Sequence, residues 1–129
     1  MTKNQLPEMV KYYVNQLSGD HADDAWHSLV ELGPAALPHV VRAFEAQSGR
    51  AASVALIRVA SEFRTKDALP FLATLLGVAD GEIWKTALDG IVSIGGEAAV
   101  NCLREVSKTQ GADKQPWVEE AINQINEAG

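Results

Sequence analysis

One cysteine, three histidines and seventeen carboxylates are the raw material for chemistry in this 129-residue chain. Asp23, His27 and Glu31 fall at i, i+4 and i+8, so a helix would carry all three on one face. Such a stripe has the residue types for a metal ion or a proton-transfer pair. One face supplies only these three, however, and His21 is six residues from His27 on another face. A solvated face, with helical charge pairs worth about 0.2–0.5 kcal/mol each, accounts for the stripe. Cys102 stands at helical spacing among apolar residues, which predicts a small core hydrophobe rather than a nucleophile. A thiolate would need electropositive neighbours, and the nearest, Arg104, points elsewhere on the helix. His39 sits alone among apolar residues and reads as a groove residue rather than a ligand. Gly95-Gly96 is no phosphate loop, since no Lys and Ser or Thr follow and no strand precedes. No catalytic set assembles, and neither metal nor cofactor is expected.

Composition narrows the class. A chain of this length buries roughly two thirds of its unfolded surface, enough for a core without staples. A lone cysteine leaves no internal disulfide framework and no need for an oxidising compartment. Eleven Lys+Arg against seventeen Asp+Glu give a net charge of −6, which argues against nucleic acid or an anionic membrane as partner. The longest apolar stretch, Ala68 to Ala79, contains Pro70, Thr74 and Gly77 and is too short to span a bilayer. Met1 to Leu6 does not open a leader peptide: Lys3 is followed by polar residues and Pro7. A cytoplasmic, non-enzymatic domain is the expectation.

The elements follow from repetition. Ala25, Leu29, Leu32 and Gly33 recur as Ala87, Ile91, Ile94 and Gly95 at an offset of 62, twice 31. Between them Arg50 to Phe63 is Ala-rich and helical, with Phe63 matching Leu32 but no Gly behind it. Ala36-Leu37-Pro38 recurs as Ala68-Leu69-Pro70 at an offset of 32. Leu37, Val40, Val41 and Phe44 then map onto Leu69, Leu72, Ala73 and Leu76, and 30 residues later onto Ala99, Cys102, Leu103 and Val106. These i, i+3, i+4, i+7 spacings predict helices, and no stretch alternates with the period of a strand. Asp20 is placed to cap a helix starting near His21, and Asp80 precedes the first helix of the third unit. Pro7 to Leu17 reads as one helix stopped by Gly19. Thr109 to Asp113 reads as a polar loop before a last helix from about Gln115 to Glu127. By the same offsets Trp26 maps onto Leu88 and Trp117 onto Ile83, both core or repeat-interface slots, while Trp84 is expected partly exposed.

The chain thus reads as one all-α domain of about eight helices: a capping helix in residues 1–19, helix pairs in 20–49, 50–80 and 81–111, and a capping helix in 112–129. Half-units at both ends hide the terminal apolar faces of a solenoid. Ile83-Trp-Lys-Thr-Ala-Leu-Asp-Gly-Ile-Val-Ser-Ile-Gly95 and Ala68-Leu-Pro-Phe-Leu-Ala-Thr-Leu-Leu76 resemble the short, roughly 30-residue HEAT repeats of bacterial scaffolds and phycobilisome-lyase-like proteins. Trp84 departs from the Arg that often stands there. Tetratricopeptide repeats, with a spacing of 34 and other aromatic positions, fit less well. The resemblance implies a right-handed α-α superhelix with first helices convex and second helices concave. It also implies a protein partner on the concave side. Two outward rows then become candidate partner-binding residues: His39, Phe71 and Asn101, then Arg42, Thr74 and Arg104, with Lys108 one turn on. Phe71 is either a binding anchor or a side chain turned into the groove between helices.

The expected role is a protein-interaction module, in its sharpest form an inhibitor or immunity-type protein against a basic toxin, since acidic surface speeds association with a cationic target. Two arginines on the concave rows then push the acid elsewhere, to Asp23, Asp24, Glu31, Glu119 and Glu120. The alternatives are a lyase or chaperone-like subunit acting on a tetrapyrrole-carrying protein, by analogy alone, and an orphan scaffold fragment. A monomer or weak self-association is expected.

Overall fold

The apolar stripes become eight α-helices, with no strand, among the residues that the computed structural model describes, 5–47 and 49–128. They are α1 (Leu6–Val14), α2 (Ala22–Glu31), α3 (Leu37–Ala46), α4 (Arg50–Glu62), α5 (Leu69–Leu75), α6 (Gly81–Ile94), α7 (Gly96–Ser107) and α8 (Gln115–Ala128). Most of the stretch that reads as leaderless, Met1 to Asn4, lies outside the described residues. No helix among the described residues is long and apolar enough to cross a membrane.

Local chemistry sets the helix ends. Pro7, Pro38 and Pro70 occupy the first turns of α1, α3 and α5, where a missing N–H costs little. Asp80 caps α6: its Oδ1 accepts from the N–H groups of Glu82 at 3.0 Å and Ile83 at 3.3 Å. Its Oδ2 accepts from Arg50 Nε at 2.7 Å, so one carboxylate ties the starts of α4 and α6 together. Asp20 does not cap α2. His21 is the N-cap residue and no side chain bonds the free N–H groups; Asp23 and Asp24 in the first turn answer the helix dipole instead. Helix α1 stops at Val14, short of Gly19, and the chain continues in hydrogen-bonded turns that keep Leu17 buried.

The 31-residue repeat reappears as backbone conformation. Gly33 and Gly95, just beyond α2 and α6, have φ of 82° and 67°, and Arg64, midway between them, has φ of 50°. The middle unit thus reaches positive φ without glycine, at a steric cost a Cβ carries there, while Gly33 and Gly95 combine it with an extended ψ of −179° and −169°. Side chains follow suit: Ala25, Leu56 and Ala87 form one set, Leu29, Ala60 and Ile91 the next, all at most 1% exposed.

Burial corrects the register of the third unit. Ala36, Ala68 and Ala99 are fully buried, as are Val40, Leu72 and Leu103, so the second offset is 31 rather than 30. The linkers explain the steps of 32 and then 31. Gly33 alone precedes the 3-10 turn Pro34–Ala36, whereas Arg64-Thr65 precede the 3-10 turn Lys66–Ala68 and Gly95-Gly96 begin the third link. Cys102 therefore shares its position with His39 and Phe71, not with Val40 and Leu72, and is half-buried rather than core.

Helices pack in two rows. Contacts run α2 to α4 to α6 to α8 in one row; in the other α1 meets α3 and α5 meets α7, with the Phe44 and Phe71 rings edge-on at 5.2 Å between α3 and α5. Across the rows the chain neighbours that pack closely are α1 with α2, α3 with α4, α5 with α6 and α7 with α8. The closest packing of chain neighbours is thus offset by one helix from the sequence repeat. The most extensive interface is α4 on α6. A Cβ added to Gly90 of α6 would land on the Ser61 hydroxyl of α4, so glycine there sets the close approach. Ser61 Oγ is occupied, donating to the Ile57 carbonyl at 2.8 Å.

Side chains at the start of α8 hold it in place. Lys114 Nζ donates to the carbonyls of Leu76 (2.6 Å) and Val78 (3.2 Å), satisfying acceptors at the end of α5. Gln115 Nε2 does the same for the carbonyls of Ser107 (2.5 Å), the last residue of α7, and Gln110 (3.0 Å) just beyond it. The tryptophans exchange their expected places. Trp84 is 9% exposed and Trp117 48%, their rings edge-on at 5.6 Å between α6 and α8. Trp84 fills the slot between α6 and α8, and Trp117 lies further out with the Lys85 ammonium over its ring at 4.6 Å. Trp26 is half-buried rather than core, with its indole N–H buried and unpaired.

Candidate binding face

Helices α1, α3, α5 and α7 form the row on which every proposed contact residue lies, save Lys108 just past the end of α7. Two grooves run along it. Helix α1 presents Pro7, Val10, Lys11, Val14 and Asn15 to the first, an i, i+3, i+4, i+7, i+8 stripe. Helix α3 answers with the same spacing in His39, Arg42, Ala43, Ala46 and Gln47. The small Ala43 and Ala46 leave the helices apart over Val10 and Val14, and the groove encloses about 360 Å³. Its floor is apolar, its rim holds Lys11 and Arg42, and among the described residues no carboxylate lines it.

The second groove, about 490 Å³ and shallower, lies between α5 and α7 and contains Leu69, Pro70, Asn101 and Cys102 under a mixed rim of Lys66, Asp67 and Glu105. Burial pushes the Cys102 thiol above its ordinary pKa, so it stays protonated at neutral pH. Asn101 also faces a cleft between α7 and α8 with Arg104 and Glu97.

The structure gathers some of the proposed residues and disperses others. His39 and Arg42 share the first groove; Asn101 lies in the second; Arg104 turns to the α7–α8 cleft. Phe71 packs edge-on against Phe44, the inward of its two readings. Thr74 is exposed, with its hydroxyl donating to the Phe71 carbonyl at 2.7 Å, and Lys108 pairs with Glu105 at 3.0 Å in solvent. With the register corrected, the row of His39 and Phe71 continues to Cys102, and that of Arg42 and Thr74 to Glu105. Lys11, Ala43 and Ala46 were missed because α1 lies outside the repeat; its stripe facing the matching one on α3 is the signal that finds them.

Charge divides between the rows. Helices α2, α4, α6 and α8 carry nine carboxylates against Arg50, Arg58 and Lys85, and α2 and α8 have no Lys or Arg at all. Helices α1, α3, α5 and α7 carry four carboxylates against Lys11, Arg42 and Arg104. Asp23, His27 and Glu31 are exposed along α2, and no group of three or more His, Cys, Asp or Glu side chains able to hold a metal forms among the described residues. No protein-family model matches the chain, and no curated protein matches it closely enough to count as a relative.

Proposed function

We propose that the chain is a non-enzymatic protein-interaction module of the HEAT-repeat kind, a right-handed superhelix that holds a protein partner on the row of α1, α3, α5 and α7. The observation that carries this reading is the asymmetry between the rows. One row offers two grooves with apolar lining and nearly balanced charge; the other is strongly acidic. Apolar ground with a thin polar rim suits a desolvated protein contact, whereas a dense carboxylate surface resists one. The recurring positive φ at Gly33, Arg64 and Gly95 supports the repeat architecture. Affinity capture from native lysate at low salt tests it: the wild-type chain retains a protein at stoichiometric amount, and Arg42→Glu with Asn101→Arg loses it. Capture of nothing stoichiometric by the wild type ends the reading.

A second reading, neutralisation of a basic toxin, rests on the opposite row, where Asp23, Asp24, Glu31, Glu119 and Glu120 are all exposed. It expects binding that collapses between 50 and 300 mM salt, on the order of a Debye length's contraction from 14 to 6 Å, and that survives the groove substitutions.

A further inference from the structure

The α1–α3 groove differs in kind from the rest of this acidic molecule. Its walls are two helical stripes, each spanning eight residue steps, or about 12 Å of axis. The floor is Val10 and Val14, 2% and 7% exposed, widened by Ala43 and Ala46. Lys11 and Arg42, both exposed, stand on opposite walls, and among the described residues no carboxylate lines the groove. Glu8 and Glu45 each stand one turn from these cations, at i,i+3, but neither lines the groove and neither forms an ion pair with Lys11 or Arg42.

We propose that this groove takes an acidic amphipathic helix of a partner protein. The proposal rests on the protein-binding reading and names the chemistry of what is bound. Two turns of an incoming helix match the 12 Å length and set apolar side chains at i, i+3, i+4 and i+7 over Val10 and Val14. Carboxylates flanking that stripe meet Lys11 on one side and Arg42 on the other, which fixes the orientation of the helix as well as its sign. A basic helix of the same shape would bring its cations against both side chains.

Two fluorescein-labelled 14-residue helical peptides test it by fluorescence anisotropy on the full chain. Both carry leucines at i, i+3, i+4 and i+7; one has glutamates at the flanking positions and its twin has lysines. The glutamate peptide binds at least tenfold more tightly at low salt, and Lys11→Glu with Arg42→Glu inverts the preference. Ala46→Trp, which fills the groove from its exposed edge, weakens the glutamate peptide at least tenfold while circular dichroism and the urea midpoint stay as in the wild type. Equal binding of the twins, or indifference to Ala46→Trp, overturns the proposal. So does a dimer in sedimentation velocity that Arg42→Glu dissolves, because the groove is then covered by a second copy. A lysate partner still captured in full by the Lys11→Glu, Arg42→Glu variant leaves the interaction module standing and removes only the groove's assignment.

Discussion

Arg64 is the non-glycine residue with positive φ among the described residues, at the position that Gly33 and Gly95 hold in the other units. Left-handed backbone costs an L residue about 1–2 kcal/mol, and glycine gives back about 0.4–1 kcal/mol of that through its freer unfolded chain. Arg64→Gly is therefore expected to raise stability by about 0.5–1 kcal/mol in urea unfolding, whereas Arg64→Val, β-branched, lowers it. Asp80 makes a second single-residue prediction. Partial burial alone would raise its carboxyl, but the Ile83 N–H, the Arg50 guanidinium and the Glu82 N–H outweigh that and hold it below the ordinary carboxylate range. A group depressed in the folded state contributes its stability above the unfolded value and loses it as pH falls through the folded one. The melting temperature of the wild type thus falls more steeply below about pH 4 than that of Asp80→Asn, and Asp80→Asn should melt lower than the wild type at pH 7.

At the scale of elements, Gly90 and Lys114 govern the two joints that matter most. Gly90→Ala pushes a methyl group onto the Ser61 hydroxyl and, at 3.3 Å, the Leu72 side chain, and overpacking of this kind costs about 1–3 kcal/mol. Combining it with Ser61→Ala should recover part of the loss in urea unfolding, since the clash is with that hydroxyl. Lys114→Met keeps the stem but leaves the Leu76 and Val78 carbonyls without their ammonium donor, with an expected loss of about 1–3 kcal/mol. Helix identity was legible in the sequence because apolar spacing along one helix is local information. Ala25, Leu29 and Ile91 could be placed from it. The one-residue slide at Cys102 could not, because the third unit has no Ala-Leu-Pro to fix its register, and Ala98-Ala99-Val100 offers two apolar alignments one residue apart. The exchange of Trp84 and Trp117 depends on how α6 and α8 meet, and the α1–α3 groove on two stripes about 30 residues apart; neither is written in one helix.

For the molecule as a whole, one buried cluster runs without a break from Val10 in α1 to Ile125 in α8. A single core shared by all eight helices predicts one cooperative transition: far-ultraviolet circular dichroism and tryptophan fluorescence should give the same urea midpoint. Separate midpoints would mean that the rows or ends melt independently. The offset between sequence repeat and packing pair has a further consequence. The elbow at Arg64-Thr65 falls between complete pairs, leaving α1 to α4 on one side and α5 to α8 on the other, joined chiefly across α4 and α6. It is the natural seam of the molecule. A chain severed there would yield two half-proteins, each with its pairs intact and one broad apolar face exposed, suited to find each other again by complementation.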